Sequence, residues 1–386
     1  MKFPIGTLPR PRRRGLLMAA SAAVAVATTM VTVAAPAHAA TAWPDPTAAW
    51  ISPADGTVME VTGSGLVTAA PSALTAAPGT SPAETAGFLS GGRVLAVHSL
   101  ATNTMMFIDE YETIVNTGVQ MAPGGSPAVA PLGNFFNGGD AMFAFVGTDN
   151  NLRTVDVNSR NVTFPGGGPL GVSPGTNPAI AKGALSLIGT VAFHANVEDT
   201  LWYVDSNNVA HDTGIKMAVG ASPSITEINP HSNAGHLTDY KIAFAGDDDR
   251  LRVFDTETST ATGYNVFVAP RTAPAIRDVD ANNYKVAFQG LNTHTLWTVT
   301  PARGAVDTRL PIAVGTSPSM AFVLPDRFQI LFNHGVSHTV WDYQAETCFD
   351  TGQPIAVGSN PSTSNVFDNT TAYTPMPRTT AFCAVG

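Results

Sequence analysis

The sequence predicts an all-β fold, a seven-bladed β-propeller of four-stranded blades closed by N-terminal strands that complete the C-terminal blade. Three observations predict it. A Gly-x-Ser-Pro-small motif recurs seven times, with its prolines at Pro82, Pro127, Pro178, Pro223, Pro274, Pro318 and Pro361, 43 to 51 residues apart. Between these anchors, apolar runs of about five residues alternate in the period-2 manner of strands, and a repeat of this length matches a propeller blade. The 35 Gly and 29 Pro supply the many turns that numerous short strands need.

The anchor comes first in each unit. Gly stands three residues before Pro in six copies, and Arg271 replaces it in one. Gly can adopt backbone conformations closed to other residues, as a tight loop between blades requires. Pro at the first position of a strand removes no ladder hydrogen bond. The residue after it is always Ala or Ser, which places this strand innermost, where strands converge on the axis.

A second strand follows, ending in an aromatic: Phe145, Phe193, Phe244, Phe288 and Phe332, with Val97 in the first unit. A polar hairpin leads to a third strand, as in LRTVD from Leu152 or LWYVD from Leu201. A weaker fourth strand returns to the next anchor. Residues 47–62 align without a gap on residues 190–205, Trp50 taking the place of Phe193. The chain therefore enters its first unit partway through and has strands to lend to the last anchor, which closes the ring and leaves no open edge. RTTAFCA, residues 378–384, is one aromatic-ending run too many. It either displaces the Trp50 strand or lies as an extra tail on the preceding blade, and the tail is favoured.

Residues 1–39 read as a secretory signal. Lys2, Arg10, Arg12, Arg13 and Arg14 precede an Ala/Val-rich apolar run and a small-x-small site at Ala37-His38-Ala39. An uncleaved anchor and a twin-arginine signal are the alternatives to an ordinary cleaved leader. The propeller domain then spans residues 40–386, and its expected location is extracellular. The leader holds 5 of the 20 Lys and Arg and none of the 29 Asp and Glu, so the remainder carries −14. That charge argues against nucleic acid and anionic membranes as partners. Cys348 and Cys383 lie in the exported part, where a single disulfide between them is expected, against two free thiols.

The chain carries no Gly-x-Ser-x-Gly, no HExxH and no phosphate-binding loop, and its cysteines do not form a zinc pattern. Neither a cofactor nor a catalytic residue is expected. Ser52–Thr57, Asp149–Asn151, Asp247–Asp249 and the pair His231 and His236 read as turns and solvated loops rather than metal or catalytic sites. More informative are two positions that vary from unit to unit. Second in the third strand come Met59, Met106, Arg153, Trp202, Arg252, Trp297 and Trp341; just after the aromatic come Ile51, His98, Val146, His194, Ala245, Gln289 and Asn333. Trp faces stack on the C–H faces of sugars, and His, Gln and Asn bind hydroxyls. Trp202, Trp297, Trp341, His98, His194, Gln289 and Asn333 are thus candidate ligand-binding residues, with blade-to-blade packing as the alternative role.

The units AFVGTDNNLRTVD, AFHANVEDTLWYVD and AFQGLNTHTLWTV, each with its G-T-S-P-A-I-like anchor, resemble the repeats of bacterial seven-bladed propeller lectins of the tectonin-like, fucose-binding group. The resemblance covers residues 47–364. It implies a secreted, non-catalytic lectin with repeated weak sugar sites between blades and glycans as partners. Here the third strand ends in Asp or Thr with few aromatics after it, and the Arg/Glu/Trp set of fungal six-bladed fucose lectins is absent. An extracellular protein-interaction scaffold is the alternative function, followed by a secreted glycan hydrolase or lyase with its site at the channel mouth.

Overall fold

The computed structural model describes residues 48–61, 67–70, 74–86, 93–109, 111–132, 140–182, 189–228, 239–280, 283–324, 327–344, 346–363 and 382–384. The leader and the His231/His236 pair lie outside these residues. Seven antiparallel sheets stand around one axis, as the anchor count predicts. Blade 1 runs outward as Ala83–Ala86, Arg93–His98, Thr104–Ile108 and Ile114–Gln120. Blades 2 to 5 repeat this order from innermost strands Ala128–Leu132, Ala179–Ala181, Ser224–Glu227 and Ala275–Asp280.

Blade 7 is shared between the two ends of the chain. Its innermost strand is Ser362–Thr363, and Ala48–Ile51, Val58–Val61 and Val67–Ala69 supply the outer three. Trp50 pairs with Met59 as Phe193 pairs with Trp202, so the gapless alignment of the two segments is also a structural equivalence. The surplus run is a fifth strand: Phe382–Ala384 adds to the outer edge of blade 6, against Thr347–Pro354. It leaves the Trp50 strand in place.

The core lies between blades. Trp50, Phe145, Phe193, Phe244, Phe288 and Phe332 are all buried, and each second strand sends its aromatic against a neighbouring sheet. Full burial of each such ring contributes about 2–3 kcal/mol, which makes the aromatic the repeated packing unit of the fold.

The anchor loops show why their sequence repeats. Gly79, Gly124, Gly175, Gly220, Gly315 and Gly358 all have φ between 72° and 77°, and Arg271 takes φ 60° in the seventh copy. In those six glycine copies a backbone bond closes the turn, as from Thr80 N to Ala77 O at 3.2 Å, the pattern of a type II turn with Gly at its third position.

The residue before each proline links the blades. Ser81 N donates to Ser126 Oγ at 2.9 Å, Ser126 N to Asn177 Oδ1 at 2.7 Å, and Asn177 N to Ser222 Oγ at 2.8 Å. Ala273 N donates to Ser317 Oγ at 2.8 Å, Ser317 N to Asn360 Oδ1 at 2.6 Å, and Asn360 N to Ser81 Oγ at 2.8 Å. These six bonds circle the axis. The seventh, from blade 4 to blade 5, is missing because Ala273 has no side-chain oxygen. Two further serines, just after the proline, add bonds in the reverse sense: Ile276 N to Ser224 Oγ at 3.1 Å and Glu84 N to Ser362 Oγ at 3.0 Å. One reinforces the gap and the other the seam where the chain ends meet.

Candidate functional site

The sequence offers two sets of candidates, and the fold separates them. His98, His194, Gln289 and Asn333 are at most 1 % exposed. Each ends its second strand beside the anchor loop of the next blade. His98 Nδ1 lies 3.0 Å from Gly125 O, and His194 Nδ1 lies 3.1 Å from Ala221 O. Gln289 Nε2 donates to Ile312 O and Ala313 O, and its Oε1 accepts from Gly315 N. Asn333 Nδ2 reaches Ala356 O and Ser359 O at 3.4 Å. These polar groups satisfy backbone atoms that burial between blades would otherwise strand. They are brought to blade-to-blade seams, not to an open face. Burial pushes the His194 pKa below its ordinary value, against the opposing pull of the Ala221 carbonyl and Asp199.

Trp202, Trp297 and Trp341 are placed differently. Each is partly exposed, lies in its third strand and stands opposite the buried aromatic of the second strand. Ring centroids are 6.2 Å apart for Phe193 and Trp202, 6.4 Å for Phe288 and Trp297, and 6.3 Å for Phe332 and Trp341. The indole N–H is held within the same hairpin in all three. Trp202 donates to Thr200 Oγ1 at 2.9 Å, Trp297 to Thr293 Oγ1 at 3.1 Å, and Trp341 to Ser337 Oγ and Thr339 Oγ1 at 3.2 and 3.1 Å. The floor beneath the indole differs between the blades. Gly290 lies under Trp297, where a Cβ would come 2.5 Å from Nε1, and in blade 6 the Trp341 ring stacks on His334 at 4.1 Å.

Each Trp also faces a carboxylate that the sequence reading passed over. The ladder sets Trp202 opposite Asp212, Trp297 opposite Asp307 and Trp341 opposite Asp350 on the fourth strand. Directly opposed residues in an antiparallel pair project from one face of the sheet. The aspartates begin a short bulge motif: Asp212-Thr213-Gly214, Asp307-Thr308-Arg309 and Asp350-Thr351-Gly352, with Asn116-Thr117-Gly118 in blade 1. In each, the first residue accepts from the third residue's N–H at 2.8 Å. The Thr donates to the third strand, as from Thr308 Oγ1 to Leu296 O at 2.6 Å. The third residue has positive φ, which explains Gly in three copies of four. A signal for this motif was present in the sequence. It recurs nine or ten residues after the Trp or Met position, but in the strand whose apolar pattern is weakest.

The remaining blades fill the same position with other chemistry. Arg153 pairs with Asp149 at 2.6 Å, and its guanidinium lies 3.6 Å from the centre of the Phe164 ring. Arg252 reaches Asp247 and Asp248 at 3.2 Å. Asp149, Asp247 and Asp248 of these loops are thus partners of arginine. Among the described residues no group of three or more His, Cys, Asp or Glu converges to hold a metal.

On the axis, the innermost strands enclose about 240 Å³. The small residues after each proline line it as expected, together with the larger Glu84, Arg277 and Met320. Glu84 is the single carboxylate among the described residues that line it.

No family model matches this sequence, and no curated protein matches it. Among solved structures, the chain is similar to AofleA from Arthrobotrys oligospora, with 10 % identity over 74 % of this chain and 88 % of that one, at TM-score 0.47. It is also similar to the fucose-specific lectin from Aleuria aurantia, with 10 % identity over 73 % and 95 % of the two chains, at TM-score 0.47. A streptogramin B lyase matches with 11 % identity over 72 % and 83 %, at TM-score 0.44. At these values the likeness carries no argument about the ligand of this chain, which rests on the site itself.

Proposed function

We propose that this protein is a secreted, non-catalytic carbohydrate-binding propeller with three equivalent weak sites, at Trp202, Trp297 and Trp341. The observation that carries the reading is the repeated, partly exposed indole whose N–H is already tied to a hairpin hydroxyl. What such a ring offers a ligand is its apolar face, which suits the C–H face of a sugar. The carboxylate opposite supplies acceptors for hydroxyl donors. Three weak sites on one body gain by avidity on a polymer or a cell surface. Arg153, Arg252, Met106 and Met59 mark the blades without a site.

The reading includes export with removal of residues 1–39, and a Cys348–Cys383 bridge that ties the C-terminal strand to blade 6. The ladder registers Cys348 opposite Cys383, which supports that bridge. The mass of the secreted protein, before and after reduction, tests both.

Binding is tested on a glycan array, followed by tryptophan-fluorescence titration with the best polysaccharide. Trp297→Ala is expected to weaken apparent affinity about tenfold, from one lost stacking contact and the lost valence, with the far-ultraviolet spectrum unchanged. Absence of binding to every glycan by folded protein refutes the reading.

A further inference from the structure

We infer that the three tryptophan sites select sugars bearing a free ammonium group, such as unacetylated glucosamine units in an oligomer. The inference rests on the glycan-binding reading and names the substrate class of those sites. It starts from a comparison that the repeat makes within the chain. Wherever Trp occupies the second position of the third strand, Asp stands opposite it: Trp202 with Asp212, Trp297 with Asp307, Trp341 with Asp350. Where that position is Met or Arg, the registered opposite residue is not Asp. Met106 faces Asn116, Arg252 faces Gly263 and Met59 faces Ala69.

The bulge does not account for this pairing. Asn116 makes the same bulge contacts as Asp307. Its Oδ1 accepts from Gly118 N at 2.8 Å and from Thr104 Oγ1 at 2.9 Å, just as Asp307 Oδ1 accepts from Arg309 N at 2.8 Å and Thr295 Oγ1 at 2.7 Å. Thr117 bonds to the third strand as Thr308 does. What Asp adds over Asn is a negative charge, and it adds it only beside Trp.

A carboxylate beside an indole face attracts a cation twice, through its charge and through the ring quadrupole. A neutral hydroxyl gains much less from replacing Asn by Asp. An anionic sugar is repelled by all three sites, and the acidic surface of the whole chain acts in the same sense. The ligand chemistry that uses both features is an ammonium carried on an apolar sugar ring.

The test is calorimetric titration of the whole secreted protein with glucosamine oligomers and with N-acetylglucosamine oligomers of the same length. The unacetylated oligomers are expected to bind about tenfold more tightly, from a cation–π contact plus a partly exposed ion pair at each site. The variant D212N/D307N/D350N is expected to keep its fold, as Asn116 does in blade 1, and to lose the preference. W202A/W297A/W341A has the wild-type net charge, so it separates site binding from general attraction of a polycation to an acidic protein; it is expected to lose binding of both oligomers. Equal or tighter binding of the acetylated oligomer overturns the inference and leaves the glycan reading standing. A preference that survives in the Asn variant overturns it as well. Failure to bind either oligomer overturns it, and if other glycans also fail, the glycan reading falls with it.

Discussion

Ala273→Ser should stabilise the protein, because it completes the ring of hydrogen bonds around the axis. Six of the seven residues before the anchor prolines bear a side-chain oxygen, and each of those oxygens accepts from the previous blade. Ser222 is 7 % exposed, and in its place in the pattern its N–H points toward position 273. A serine there adds one oxygen at a partly exposed residue that precedes its anchor proline as Ser81, Ser126 and Ser317 do. One intramolecular hydrogen bond to a buried N–H contributes about 1 kcal/mol. For a domain of this size that raises the melting temperature by about 1–2 °C, since the unfolding entropy grows with length. The opposite change, Ser317→Ala, removes an existing link and should cost about 1 kcal/mol. Urea unfolding resolves both effects, with unchanged m-values showing that the denatured state is not altered. Should Ala273→Ser leave the midpoint where it was while Ser317→Ala lowers it, the bond does not form at blade 5. Should neither move it, the ring contributes nothing to stability.

Arg93→Ala should be costlier, by about 3 kcal/mol, because it strands Glu60 at the seam between blades 7 and 1. Glu60 is 1 % exposed and lies 2.6 Å from Arg93. Burial raises its pKa above the ordinary 4.5 in spite of Arg93, and in the variant it rises further. The folded state then binds more protons than the unfolded one above that value, so the deficit should shrink as pH falls toward 4.5, which unfolding at several pH values checks. His194 runs the other way. Its pKa is held below 6.5, so below that pH the unfolded chain binds the extra proton and stability declines. His194→Gln, which copies the side chain found at Gln289, should flatten that decline in the same measurement.

The fold was legible in the sequence because its signals are steric and therefore repeated. Gly at a positive φ, Pro at a strand start and a buried aromatic have few substitutes, so seven copies look alike. The closure through residues 48–61 followed from the same repetition. The candidate site was half legible. Tryptophan in blades 3, 5 and 6 stood out, but its carboxylate lies in the fourth strand, whose outward position leaves it a weak apolar pattern. The polar residues after the aromatic misled for a related reason. His98 and Gln289 have the chemistry of ligand contacts, and only the neighbouring anchor loop shows that their hydrogen bonds are spent between blades.

That neighbouring loop also shows how one blade adapts to the next. The residue after each anchor glycine, or after Arg271 in its place, is Thr or Ser in five copies, where its hydroxyl closes back on its own turn, as Thr272 Oγ1 does on Ala269 O at 2.7 Å. In blades 2 and 4 it is Gly125 and Ala221, and these are the two loops that receive a histidine from the preceding blade. An imidazole needs the volume that a threonine side chain would take, and it bonds to the carbonyl of that same small residue. The amides Gln289 and Asn333 coexist with Thr316 and Ser359, whose hydroxyls share the carbonyls of Ala313 and Ala356 with them. Variation at the strand end is therefore matched by variation one blade on. The Trp–Asp pairs are matched inside a single blade, while each indole also rests on the apolar cluster at its seam. Pairing across a seam is the mark of packing, and pairing within one blade at a partly exposed face is the mark expected of a ligand site.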